Sequence, residues 1–116
     1  MSKQNEQYVQ GDILFIKADS WWETDEKRRR ELEAHRQDTN VVAYGEKTGH
    51  KHSILGNGWL SVVLSFGDIT KMLVADDAVT IAHDEHPPLT LPKGVYDIRE
   101  QKTYDYKAAA ARRVED

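Results

Sequence analysis

The chain contains no cysteine, and that single absence removes a disulfide framework, a thiolate zinc site and a cysteine nucleophile together. Any metal must then be held by imidazole nitrogen and carboxylate oxygen. Long apolar runs are missing as well: the longest extend over a few residues, far short of the ~20 needed to cross a bilayer. The polar start, Met1 to Glu6, lacks the apolar core of a secretory signal. Together these absences predict a cytoplasmic protein with no membrane partner. No Walker loop, dinucleotide fingerprint or serine nucleophile elbow occurs, which removes several large enzyme classes. There is no basic surplus either; the formal net charge of −4 argues against a dedicated nucleic-acid binder. Positive charge is nonetheless concentrated in Lys27-Arg28-Arg29-Arg30 and again in Arg112-Arg113, so a local basic patch stays open.

What is present suits one folded domain. The 116 residues match the usual size of a domain and can bury roughly two-thirds of their unfolded surface. Hydrophobic residues make up 39% and charged residues 31%, the balance of a soluble globular chain rather than a disordered one. Residues 1–10 are polar and read as loose. Ile13 to Ile16 reads as a short buried strand. Ser20 to Gln37 is the one helical stretch, opened by a Ser20–Glu23 capping box and rich in good helix formers. Its apolar residues, Trp21, Trp22, Leu32 and Ala34, are too sparse for a buried stripe, which predicts a single surface helix near residues 20–37.

From Val41 onward strands and turns alternate. Val41–Tyr44 and His50–Leu55 precede the turn Gly56-Asn57-Gly58. Leu60, Val62, Leu64 and Phe66 alternate with Trp59, Ser61, Val63 and Ser65, a period of two that predicts a core strand. Ile69–Ala75, Ala78–Ala82, Leu89–Leu91 and Val95 to about Tyr104 follow, separated by Gly67-Asp68, Asp76-Asp77, Pro87-Pro88 and Pro92-Lys93-Gly94. Alanines 108–111 with Arg112 and Arg113 suggest a short terminal helix or a frayed tail. Seven or eight short strands with frequent turns predict a mainly β fold, a small β-barrel or β-sandwich.

Chemistry concentrates in the histidines. Four of the five form two pairs, His50-x-His52 and His83-x-x-His86. On a strand, residues i and i+2 share a face, so His50 and His52 can aim at one ion. His83 and His86 sit where a strand ends before two prolines, in a stiff bend that can turn both rings the same way. Glu46, Asp84 and Glu85 supply carboxylates, as ligands or as acceptors for imidazole N–H groups. The expectation is a site of His50, His52, His83 and His86, with Glu46 or Glu85 as candidate catalytic carboxylates. Imidazole with carboxylate suits a divalent transition metal such as zinc, manganese, iron or nickel, in a hydrolytic or oxygen-dependent reaction. Solvated surface histidines are the plainer alternative, and that reading fits His35 on the charged helix.

Two other uses remain open. Paired histidines can serve as general acid and base on a phosphodiester without metal, with Lys51, Lys93 or an arginine stabilising the developing charge. Trp21 and Trp22 beside Lys27–Arg30 could instead form a stacking platform for nucleic acid or a protein partner; a hydrophobic anchor with a solvated helix face is the structural equivalent. Tyr104 and Tyr106 with Lys102 and Lys107 pose the same choice. Exposed strand edges would also allow a homodimer.

The segments Gly45-Glu46-Lys47-Thr48-Gly49-His50-Lys51-His52, His83-Asp84-Glu85-His86-Pro87 and Leu91-Pro92-Lys93-Gly94-Val95-Tyr96 resemble a family of small uncharacterised bacterial and phage-type proteins. That family shows Gly-Glu-x-Thr-Gly-His-x-His, His-x-Glu-His-x-Pro and Leu-Pro-x-Gly-x-Tyr segments. The resemblance implies a shared site at His50, His52, His83 and His86, and no known activity. His50-x-His52 and Pro92-x-Gly94 are also similar to parts of the cupin motifs, which implies a metal-binding barrel. The standard cupin ligands are incomplete here: Gly56-Asn57 stand where a glutamate would follow, and Asp97 stands in place of the second motif's histidine.

Overall fold

The computed structural model describes residues 6–44, 50–65 and 67–100. Ten strands and two short helices follow one another in this span. They are β1 (Gln7–Gln10), β2 (Ile13–Lys17), α1 (Trp21–Thr24), α2 (Glu26–Ala34), β3 (Arg36–Gln37), β4 (Val41–Tyr44), β5 (Lys51–Leu55), β6 (Gly58–Ser65), β7 (Asp68–Ala75), β8 (Val79–Ala82), β9 (Leu89–Leu91) and β10 (Gly94–Glu100). All strand pairs are antiparallel. They make a six-stranded sheet ordered β1-β2-β10-β7-β6-β3 and a four-stranded sheet ordered β4-β5-β8-β9. Among the described residues neither sheet closes on itself, so the mainly β expectation holds and no closed barrel is formed.

Alternation along the strands explains how the layers meet. In β7, Leu73 and Ala75 join Ile13, Phe15, Val42, Ile54, Leu60, Val79, Ile81, Leu91 and Tyr96 in one core shared by both sheets. Their neighbours Met72 and Val74 point the other way, into a second cluster with Trp59, Val63, Val95 and Leu32 of α2. The six-stranded sheet is therefore buried on both faces, by the smaller sheet on one side and by the helix on the other. The chain passes between the sheets at short turns, such as Gly56-Asn57 after β5 and Pro92-Lys93 after β9.

Four sequence expectations change. The single helix is two, because the Asp25 side chain accepts hydrogen bonds from the backbone N–H groups of Lys27 and Arg28 and starts a new helix there. That helix is not purely a surface element, since Leu32 is fully buried and the Leu32 carbonyl accepts from the Ser61 hydroxyl at 2.6 Å. The polar start contains an edge strand, β1, in continuous register with β2 from Gln7↔Ile16 to Gln10↔Ile13. Backbone pairing suffices to form it, with Tyr8 edge-on to Tyr96. Finally, the predicted core face of β6 is only partly core. Leu60 is buried, but Leu64 is 67% exposed beyond the reach of the smaller sheet, while Trp59, Ser61 and Val63 are covered by the helix. Phe66, the terminal alanines and residues 101–104 of the last predicted strand lie outside the described residues.

Candidate metal centre

The two histidine pairs are brought together by strand register. In β5 the burial pattern turns His52 and Ile54 inward and Lys51 outward. Ser53 pairs with Ala82 of β8, and one step further along an antiparallel ladder His83 falls opposite His52. The rings of His52 and His83 accordingly lie 4.4 Å apart between centroids. His86 is 4.5 Å from His83 and 6.4 Å from His52, and His50 is 5.8 Å from His83 and nearly parallel to it. His83 is thus the hub of four imidazoles at one end of the four-stranded sheet.

Two carboxylates of the loop after β8 close the outer side. Asp84 Oδ2 lies 2.9 Å from Nδ1 of His50, and Asp84 Oδ1 lies 3.6 Å from Nδ1 of His83. The hydrogen bond with His50 is the main reason the Asp84 carboxyl is held below its usual range. Glu85 Oε2 stands 3.5 Å from Nε2 of His50, and the Glu85 backbone N–H donates to Nδ1 of His83 at 3.0 Å. One donor atom each from His50, His83 and Asp84 lie within 4.8 Å of one another. The depth is graded: the His83 side chain is 4% exposed, His50 23% and Asp84 58%. A ligand on this trio would have protein behind it and solvent in front.

The inner side is built by residues that sequence reasoning passed over. Gln10 is buried at the end of β1. Its amide nitrogen donates to the carbonyls of Ile81 and Pro87, each at 2.9 Å. Its amide oxygen faces Nδ1 of His52 at 2.8 Å. Gly11 follows with φ of +61° in the two-residue turn to β2, and His86 packs directly on it. Asp12 completes the turn, with Oδ1 3.7 Å from Nε2 of His52. Burial is the first cause that makes His52 harder to protonate; repulsion from His83 and His86 adds to it, and Asp12 opposes it. Nothing in the local sequence marks Gln10 or Asp12 beyond a turn signal at Gly11.

The remaining expectations fall elsewhere. Glu46 lies in residues 45–49, outside the described residues, as do Lys102, Tyr104, Tyr106, Lys107 and Arg112-Arg113. Asp97 accepts from Arg99 at 2.9 Å on β10 and is no part of the histidine cluster. Lys93 borders a cleft with Glu23, Thr24 and Arg29. The basic run is largely tied down. Arg29 pairs with Asp76 at 2.8 Å and Glu33 at 3.3 Å, and Arg28 lies over the Trp22 ring and near Glu31. Trp22 itself packs against the outer core cluster. No helix among the described residues is long and apolar enough to cross a membrane.

The chain belongs to a family defined by a domain of unknown function, DUF8820, whose model matches residues 9–101. That span takes in Gln10, Asp12 and the four clustered histidines. No curated protein and no solved structure matches the chain.

Proposed function

We propose that the protein binds a divalent transition metal in the histidine cluster and uses it for hydrolysis. The observation that carries this reading is the convergence of His50, His83 and Asp84 within 4.8 Å of one another, at the mouth of a cluster in which His52 and His86 flank His83. Metal–donor distances of about 2.0–2.2 Å put neighbouring ligands roughly 3–4 Å apart, so small side-chain adjustments are enough. Imidazole and carboxylate donors suit zinc, manganese, iron or nickel. Three protein ligands with a solvent-facing side leave room for a water, and a bound cation would make that water a nucleophile near neutral pH. Glu85, beside His50, is positioned as the base that takes its proton. The scaffold is best read as a β-sandwich with a helical outer layer, and the ligand set as distinct from that of cupins.

A metal-free phosphodiester reaction is the second reading, and the Gln10–His52 hydrogen bond favours it. With Nδ1 engaged, His52 presents Nε2 as a base. A nucleic-acid or protein interaction module has less support, because Arg28 and Arg29 are committed within the fold and only Lys27 and Arg30 of the run are exposed.

Elemental analysis by mass spectrometry on protein purified without a histidine tag tests the proposal. Near-stoichiometric metal that is lost in His50→Ala/His83→Ala is the expected result, with hydrolysis of a phosphodiester or ester probe abolished by chelation. Hydrolysis that persists in chelator would instead support the acid–base reading. Absence of metal after reconstitution with zinc, manganese and iron would overturn the metal reading.

A further inference from the structure

Gln10 is an amide with no freedom to turn over. Its nitrogen lies between two backbone carbonyls, of Ile81 and Pro87, which can only accept, so this atom must be the donating NH2. The atom facing His52 is therefore the amide oxygen, and Nδ1 of His52 must carry a proton to bond with it at 2.8 Å. In the neutral imidazole this leaves the lone pair on Nε2. The ring cannot swing away, since the His52 side chain is 1% exposed.

That lone pair looks across at the Oδ1 atom of Asp12, 3.7 Å away. Two acceptors face each other at a distance too long for a hydrogen bond. The same spacing is what two donors on one cation adopt, because metal–donor bonds of about 2.0–2.2 Å opened between tetrahedral and trigonal angles separate the donors by roughly 3.3–3.8 Å. His86 packs onto Gly11, the residue before Asp12, with its ring centroid 6.4 Å from that of His52. The Asp12 side chain is 32% exposed, so water can fill the other positions.

We infer that the cluster holds a second cation position, formed by Nε2 of His52 and the Asp12 carboxylate, beside the one at His50, His83 and Asp84. The inference rests on the metal reading of the cluster and adds a second equivalent to it. The first position opens to solvent through Asp84 and Glu85; the second lies at the β1–β2 turn that carries Asp12. Gln10 acts on it as a positioning residue, setting which nitrogen of His52 is the donor.

Titration of the full-length protein with manganese or zinc, read by native mass spectrometry and calorimetry, decides the matter. Two equivalents are expected for the native protein, one for Asp12→Asn and one for His83→Ala. Asp12→Asn is the informative variant because it keeps the size and partial exposure of the turn residue, and a melting curve checks that the fold survives. Binding of a single equivalent by the native protein, or of two by Asp12→Asn, would overturn the second position while leaving the first intact. Binding of none would overturn both, and the counts one and none separate the two failures.

Discussion

A Cβ on Gly11 would stand 2.7 Å from Nε2 of His86, and the residue's φ of +61° is one that side-chain-bearing residues rarely adopt. The two constraints act on the same atom, so Gly11→Ala must either flatten the turn or push His86 out of the cluster. We expect a loss of about 1–2 kcal/mol in urea unfolding, together with weaker metal uptake in the elemental analysis. A variant that kept full stability and full metal content would show that His86 is not held by this contact. The pairing of the histidines was legible in their spacing, although His50 lies one residue before β5 and reaches the others through His83. Gln10 and Asp12 were not. Their meaning depends on partners 71 and 77 residues away, Ile81 and Pro87, for Gln10 and on His52 for Asp12; no local pattern encodes such distances.

At the scale of elements, α2 joins the sheet through an apolar contact, a charged one and the hydrogen bond from Ser61 to the Leu32 carbonyl. Leu32 is fully buried against Trp59, Val63, Met72, Val74 and Val95. Arg29 bonds Asp76, which also accepts from the Trp59 indole at 3.0 Å. Burial alone would raise the Asp76 carboxyl, but the hydrogen bonds from Arg29 and Trp59 outweigh it and hold the group low. Leu32→Ala is expected to cost about 2–4 kcal/mol, from lost transfer energy and an unfilled cavity. Arg29→Ala, at a partly exposed pair, should cost about 1 kcal/mol, a fall of roughly 4–8 °C in melting temperature. Equal effects of the two substitutions would mean that the ion pair, not packing, anchors the helix. The strand pattern was readable because alternation is a local signal. The helix was misjudged because its charge density describes only its solvent side. Whether one leucine suffices depends on the apolar outer face of the sheet, which supplies the rest of the contact. Asp25, an ordinary acidic residue in a charged run, gave no warning that it would split the helix by capping it.

For the molecule as a whole, pH acts on folding through the cluster. His52 is harder to protonate in the folded chain than at its ordinary value of 6.5. The unfolded chain therefore binds more protons just below that value, and stability falls as the pH drops from about 6.5 toward the folded-state value. The Asp84 carboxyl, held below its ordinary 3.8, contributes stability that is lost only at still lower pH. The melting temperature of metal-free protein should decline on going from pH 7.5 to 5.5, with the His52 ring resonance titrating below 6.5 in NMR; a flat profile would contradict the burial of a neutral ring.

The Gln10 bridge has a consequence in time as well as in space. It joins β1 to carbonyls 71 and 77 residues later, so the inner wall of the cluster cannot exist until these distant segments have met. Contacts of such separation carry the closure entropy of the intervening chain and form late. A ligand that needs this wall cannot template the early fold; it engages a nearly finished one and acts by slowing its opening.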